Sequence, residues 1–226
     1  MSALRKLSLW WLAFSLAGLV LSACMGGEDD EAVDVGVVAS QMSAARRYPI
    51  YGPKNDRVFV LKRRGPTLIL TDDQSRPLAK ASLRRDEKQV VVRNGAGAIV
   101  AHVKRQGDVV ELTEPTGKSL ATLGPLDGKS TVELRQGELA FTFTASEPMR
   151  VEGSLESPRR VTGTTDKINK LAIFDDKNEE ESLFSVDARS GLGTLAFAVL
   201  TLESLSPPTR LGLAAYLCEF EASYGN

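Results

Sequence analysis

Residues 65–127 contain three copies of one 21-residue pattern, in direct succession and without gaps. Each copy has a run rich in β-branched residues and leucine, a turn cluster such as Arg93-Asn94-Gly95, and a second short apolar run. Two strand-like runs joined by turn residues are typical of a β-hairpin. A looser fourth copy begins at Gly128, so the region predicts about eight strands in four hairpins. Further strand-like runs follow at Val151–Leu155 and Leu171–Phe174.

A meander of this length exposes two edges unless the sheet curls or closes, although short repeats can also stack into an open solenoid. The C-terminal sequence favours closure. Leu192–Leu202 is apolar nearly all round, as is typical of a buried helix, and a second segment, Thr209–Phe220, follows Ser206-Pro207-Pro208. We therefore expect a mainly β fold with α: repeated antiparallel hairpins forming a curled sheet or barrel, packed with one or two apolar C-terminal helices. Alternatively, the two segments form a helical hairpin on an open face of the sheet.

The hairpin rhythm over residues 57–203, with Asp or Asn and Gly in the turns and an apolar helix afterwards, resembles two related groups of barrels. These are the tubby-like and the phospholipid-scramblase-like proteins. The resemblance implies a closed antiparallel barrel around an apolar C-terminal helix. Ser206–Phe220 extends past the point at which those folds usually end, and the resemblance assigns no binding residues.

The N-terminus has the features of an export signal. Arg5 and Lys6 precede an apolar core, Leu7–Val20, and small residues follow. The stretch Leu21-Ser22-Ala23-Cys24 resembles the lipobox of bacterial lipoproteins, which implies cleavage before Cys24, a diacylglycerol on its sulfur and a further acyl chain such as palmitate on the new amino terminus. Two or three buried chains anchor a protein firmly, at roughly 0.8 kcal/mol per buried CH₂. The alternatives are an uncleaved membrane helix, because the run approaches the ~20 residues that span a bilayer, and a signal for soluble export.

These features predict three regions. Residues 1–23 are expected to be a lipoprotein signal peptide, residues 24–47 a flexible acidic tether, and residues 48–226 a single β-rich domain with a helical C-terminal segment at 190–221. Within that domain we expect an irregular entry at residues 48–53 and a solvated charged loop at residues 177–181.

Residue types suited to catalysis or metal binding are sparse. His102 is the only histidine, so a histidine-rich metal site is excluded, and no serine or cysteine arrangement indicates a catalytic triad. We expect His102 to be a half-buried sheet residue and Cys218, in an apolar segment, to be a packing residue rather than a nucleophile. The pairs Asp72-Asp73 and Asp175-Asp176 lie in predicted turns, where aspartate is common on backbone grounds. The sequence thus predicts no enzyme, no metal and no cofactor other than lipid on Cys24.

Charge is distributed unevenly along the chain. The whole sequence has a formal charge of −1, yet residues 46–106 contain fifteen Lys and Arg against five Asp and Glu, a net of +10. Residues 107–226 contain eleven against nineteen, a net of −8. The basic residues cluster at corresponding ends of successive predicted hairpins: Lys62, Arg63, Arg64, Arg84, Arg85, Lys104 and Arg105. Such a rim could contact anionic lipid or an acidic envelope protein; alternatively, it pairs with the acidic C-terminal half or is simply solvated.

Together these features predict a lipid-anchored protein of the cell envelope. For a Gram-negative organism, the resemblance to bacterial lipoproteins implies the outer membrane, because in that family a residue other than aspartate after the cysteine, here Met25, favours sorting there. We expect a non-enzymatic binding or scaffolding module. The alternative is a lipid-binding or lipid-handling barrel, and the two differ in whether Leu192–Leu202 fills the barrel or leaves a cavity. Nucleic acid is a poor partner for an exported protein, and the sequence indicates no oligomeric state.

Overall fold

The computed structural model of the chain describes residues 46–126, 130–163 and 170–221, which all belong to one compact unit. Within these residues fourteen antiparallel strands form a closed barrel, in which each strand pairs with its sequence neighbours and the first pairs with the last. The strands are β1 Arg46–Tyr51, β2 Arg57–Arg64, β3 Thr67–Asp72, β4 Pro77–Arg84, β5 Gln89–Asn94, β6 Ile99–Gln106, β7 Val109–Thr113, β8 Ser119–Gly124, β9 Thr131–Gln136, β10 Leu139–Thr144, β11 Met149–Gly153, β12 Arg159–Thr162, β13 Lys170–Asp175 and β14 Asn178–Asp187. The predicted barrel of hairpins is confirmed, whereas the open solenoid and the open sheet are wrong.

The hairpin repeat is confirmed, and its period of 21 is an average. Strands β3, β5, β7 and β9 begin at residues 67, 89, 109 and 131, so successive hairpins are 22, 20 and 22 residues apart. Side chains alternate between the two faces of a strand, so an even spacing keeps the same face inward. Accordingly Val92, which is 22 residues after Leu70 and 20 residues before Leu112, joins these two leucines in the core.

Two stretches predicted to be irregular belong to the barrel wall. β1 contains Pro49 and also Arg46 and Arg47, which the sequence assigned to the tether. The acidic residues 178–181 begin β14 rather than forming a solvated loop. Both predictions were wrong for a common reason: neither stretch alternates polar and apolar residues, and each becomes a strand because its neighbour supplies backbone partners.

Two helices lie inside the barrel and pack against each other. A short 3₁₀ turn, Ala188–Ser190, leads from β14 to α1, Thr194–Leu200, and α2 spans Pro207–Phe220. The start of α2 is specified locally, because Ser206 Oγ accepts a hydrogen bond from the Thr209 backbone N–H and proline occupies the first helical position. α1 packs against β12 and β13, whereas α2 packs against β3 to β7 on the opposite wall.

The interior is filled by these helices. Residues 195–200 of α1 and 209–217 of α2 are buried on all sides. Small side chains on the inner wall make room for α2, among them Ala79, Ala81 and Ala101. None of the helices in the described part of the chain is long and apolar enough to cross a membrane.

The contacts of α2 show which end of the barrel lies near the start of the helix and which lies near its end. Near its start, the guanidinium carbon of Arg210 lies 4.6 Å from the centre of the Phe59 ring, close to the beginning of β2. At its end, Glu219 forms a salt bridge with Arg63, close to the end of β2. We call the end of the barrel at which β2, β4, β6 and α2 finish the basic end.

Candidate functional site

All seven predicted rim residues lie at the basic end, where strand alternation divides them into two sets. Three follow the buried residues Leu61, Leu83 and Val103 by two positions and therefore lie on the inner face of the wall. This inner set is Arg63, Arg85 and Arg105. The outer set, on the other face, is Lys62, Arg64, Arg84 and Lys104.

The inner set holds the end of α2. Arg85 Nε lies 2.6 Å from Glu219 Oε1, Arg63 Nη2 lies 3.6 Å from Glu219 Oε2, and Arg105 Nη1 lies 2.8 Å from Glu221 Oε1. Both carboxylates lie at a helix C-terminus, where the helix dipole is already negative, so the arginines offset an unfavourable arrangement. The alternative that the rim pairs with the acidic C-terminal half therefore holds for these three residues.

The outer set is available to solvent. Arg84 Nη1 and Lys104 Nζ lie 3.2 Å and 3.9 Å from the Glu87 carboxylate, and all three side chains are about half exposed. Exposed pairs of this kind contribute only ~0–1 kcal/mol. Among the described residues, neither Lys62 nor Arg64 forms an ion pair.

A groove opens beside the rim, at the seam that closes the barrel. β1 pairs with β14 only through Ile50 and Tyr51, and the ladder stops at Pro49, which has no backbone N–H. The groove left between the two strands has a volume of about 810 Å³. Four cations and one carboxylate line it: Arg46, Arg47, Lys170, Arg189 and Asp187.

The carboxylate in the groove is already paired. Arg189 Nε and Nη2 lie 3.0 Å and 2.6 Å from Asp187 Oδ1 and Oδ2. These hydrogen bonds lower the pKa of Asp187 to about 2, so the group is ionised at neutral pH. The lining therefore carries a net charge of +3: four cations less one carboxylate.

The ladder on the other side of β1, between β1 and β2, places like charges in register. Arg46 is directly opposite Arg63, and Arg47 is directly opposite Lys62, on β1 and β2. Like charges in directly opposed positions destabilise a sheet by roughly 0.2–1 kcal/mol per pair. The barrel therefore contains unfavourable electrostatic repulsion at the end where its positive charge is concentrated.

Arg210, at the other end of α2, was not singled out from the sequence. It is only 4% exposed, and its Nε and Nη1 have no hydrogen-bond acceptor among the described residues. Burial lowers the pKa of Arg210, and the nearby charge of Glu203 opposes that effect. The available signal was its position as the only charged residue between Glu203 and Glu219.

Replacing Arg210 with Met is expected to raise the free energy of unfolding by about 1–2 kcal/mol. The change removes a buried charge that lacks hydrogen-bond partners, and this gain exceeds the loss of the cation–π contact with Phe59. Urea unfolding of the full chain in neutral detergent measures the difference. Arg64→Met, at the exposed end of β2, is the control and should change stability little. A loss of stability in Arg210→Met would contradict the prediction.

His102 is a partly buried residue on the outer face of β6, as the sequence predicted. Its Nδ1 lies 2.8 Å from Gln89 Nε2, an amide donor, so Nδ1 accepts the hydrogen bond and the ring is neutral. Burial lowers the pKa of His102, and the positive charges of Arg84 and Lys104 lower it further. The side chain therefore stabilises the sheet in its neutral form.

This arrangement predicts a pH dependence. Because the pKa in the folded chain is below the ordinary histidine value of 6.5, the unfolded chain binds the proton first as pH falls. Stability is therefore fully present above pH 6.5 and is lost as pH falls from there toward the lowered pKa. The slope of unfolding free energy against pH in this window should be smaller in His102→Gln than in the wild type. Equal slopes in the two proteins would exclude this role for His102.

The other residues of types suited to catalysis or metal binding, Cys218, Asp72 and Asp175, have environments typical of structural roles. Burial raises the pKa of the Cys218 thiol to about 11, which keeps it protonated at neutral pH. Burial alone would raise the pKa of Asp72, but the hydrogen bonds and charge of Arg76 outweigh it and lower the pKa. Asp175 accepts hydrogen bonds from Ser157 and the Lys177 backbone, which lower its pKa. No group of three or more His, Cys, Asp or Glu in the described ranges could hold a metal ion.

The predicted lipid anchor at Cys24 and the neighbouring Met25 lie outside the described residues. The basic end and the seam groove both combine positive charge with a defined shape. No protein-family model, no curated protein and no solved structure matches the chain.

Proposed function

We propose that this protein is a lipid-anchored envelope protein that acts as a non-enzymatic binding module at an anionic membrane surface, with its basic end turned toward the headgroups. The observation that carries the proposal is the position of Arg46. It is the first residue of β1, it lies at the basic end, and the rest of the predicted tether, residues 24–45, directly precedes it. The lipid on Cys24 would therefore pull on the positively charged end of the barrel.

The distances and energies are compatible with this role. The predicted tether over residues 24–45, which lie outside the described part of the chain, would have a root-mean-square length of roughly 26 Å, so a lipid on Cys24 would keep the barrel close to the bilayer. Each Lys or Arg near an anionic surface contributes about 1 kcal/mol, so the four residues of the outer set contribute about 4 kcal/mol. That attraction is screened by salt over roughly 8–10 Å, so orientation should weaken at high ionic strength.

The rival function, a barrel that holds or passes an acyl chain, is less well supported. Such a function needs an internal cavity, whereas α1 and α2 fill the barrel, and Phe197 and Leu213 are fully buried there. An acyl chain would have to displace a packed helix.

Energy transfer tests the proposed orientation. The full lipidated chain is reconstituted in vesicles of phosphatidylcholine with phosphatidylglycerol, and an acceptor dye is attached to the lipid headgroups. A donor dye is attached at Asp108→Cys, at the basic end, or at Thr116→Cys, at the other end. Transfer should be stronger from the first position, and the difference should disappear in pure phosphatidylcholine. Equal transfer from both positions in the anionic vesicles would refute the orientation.

The structure determines which substitutions belong in that test. Arg63, Arg85 and Arg105 should be kept, because they hold α2. The charge-reversal variant changes only the outer set: Lys62→Glu, Arg64→Glu, Arg84→Glu and Lys104→Glu. The matched control reverses four exposed lysines elsewhere: Lys54→Glu, Lys80→Glu, Lys118→Glu and Lys177→Glu. Loss of orientation in the first variant alone supports the proposal, and a crosslinking pull-down with both variants tests an acidic protein as the partner instead.

A further inference from the structure

We infer that the seam groove between β1 and β14 binds a phosphate-bearing group, in its biological setting the headgroup phosphate of an anionic lipid. The inference rests on the proposed function and makes it more specific. It assigns a direct contact with phosphate to one place at the basic end, in addition to the general electrostatic attraction between basic residues and headgroups. The groove volume of about 810 Å³ lies within the range of small-molecule sites, roughly 300–1,000 Å³.

The chemistry of the lining favours phosphate. Three of its four cations are arginines, whose planar guanidinium groups match phosphate oxygens in pairs of hydrogen bonds. The single carboxylate, Asp187, already accepts from Nε and Nη2 of Arg189, so the lining cations with the most charge left for a phosphate are Arg46, Arg47 and Lys170. That ion pair also fixes the position of the Arg189 guanidinium at the wall of the groove.

The charge in the groove is also poorly compensated by the protein itself. Arg46 and Arg47 oppose two further cations across β1 and β2 rather than two carboxylates. Their mutual repulsion is relieved when an anion binds between β1 and β14, so binding should stabilise the seam. The short ladder there, limited to Ile50 and Tyr51, makes the seam the part of the wall whose opening a ligand can suppress.

Tyrosine side chains suit this site to a membrane surface. Tyr51 is partly exposed in the groove beside the arginines, whereas Tyr48, which also lines the groove, belongs mainly to the hydrophobic core. Tyrosine is enriched at membrane–water interfaces, where the ring meets apolar material and the hydroxyl meets water. An arginine-lined groove with two tyrosines therefore matches a lipid phosphate and the first part of the glycerol backbone.

Hydrogen exchange of the full chain in neutral detergent tests the inference. The probes are dihexanoyl phosphatidylglycerol, glycerol 3-phosphate and sodium chloride at matched ionic strength. A ligand that binds the closed seam slows exchange by the factor 1 + [L]/Kd, about tenfold at ten times Kd. We expect this slowing in β1 and at residues 185–189 with phosphatidylglycerol. Slowing with glycerol 3-phosphate as well supports a site that reads the phosphate alone, and slowing with the lipid only supports a headgroup site. No slowing, or equal slowing with chloride, overturns the inference.

Two variants localise the effect. Arg47→Gln with Lys170→Gln should abolish most of the slowing, whereas Lys80→Gln with Lys118→Gln, which removes two charges outside the groove, should preserve it. Equal slowing in both variants would overturn the inference. The outcome is separable from that of the orientation test, since these variants leave the outer set intact. If energy transfer shows the proposed orientation but exchange at the seam is not slowed, the basic end binds anionic lipid only through its overall positive charge, and the inference of a specific site is wrong.

Discussion

Phe197→Ala is expected to lower the free energy of unfolding by about 3–5 kcal/mol, the range for deleting a large aromatic side chain from a core. Phe197 lies in the middle of α1 and has no exposed surface. Its neighbours belong to a closed barrel, whose wall is held by backbone ladders on both sides of each strand. The wall cannot collapse into the space, so most of the deleted volume should remain as a cavity.

Urea unfolding of the full chain in neutral detergent measures the effect. Phe174→Ala is the matched control, because Phe174 is only partly buried in the wall, and it should lose much less stability. The cavity in Phe197→Ala should be apolar and dry, so benzene should raise the melting temperature of this variant alone. A loss below about 1 kcal/mol would mean that α1 does not fill the barrel.

Gly212→Val is expected to lower the free energy of unfolding by about 3 kcal/mol, at the upper end of the usual range for overpacking. A Cβ atom at position 212 would lie 2.6 Å from Val92 Cγ2 and 3.2 Å from Val103 Cγ2. Both valines are stiff, buried wall residues, so neither can turn away freely. Helix propensity alone would favour most residues over glycine here, so the sign of the effect reports the contact between α2 and the wall.

A double-mutant cycle isolates that contact. Val92→Ala removes the nearest methyl groups, so Gly212→Val should cost less in that background than in the wild type. The expected coupling energy is about 1–2 kcal/mol, within the range for residues in direct contact. Strictly additive losses would place α2 away from β5 and so contradict the packing described for the barrel interior.

Much of the wall could be predicted from local pattern. The turn cluster at Arg93-Asn94-Gly95 marks the end of β5 and the start of the turn to β6, and Ser206 with Pro207 begins α2, because turn and cap preferences are properties of a few adjacent residues. β1 and the start of β14 could not be predicted in this way. Their strand conformation depends on backbone partners that lie far away in sequence, such as Val186 for Ile50.

The candidate site also has features that could be predicted from the sequence and features that could not. That seven basic residues share one end follows from the repeat, because antiparallel hairpins return their ends to the same edge. Which of them are available does not follow, since Arg85 and Arg105 are held by Glu219 and Glu221 from a helix more than a hundred residues later. The seam groove likewise brings Arg46 and Arg47 together with Arg189 only when the barrel closes.

By itself, the sequence determined the hairpins, the apolar helices and the placement of charge along the chain, because each depends on alternation, turn residues and composition over short distances. Tertiary structure decided the closure of the wall, the alternating 22- and 20-residue spacing, the filling of the interior and the division of the basic residues into held and available sets. Those features depend on how side-chain direction and strand register combine around a ring of fourteen strands, a sum over the whole barrel that no local stretch contains.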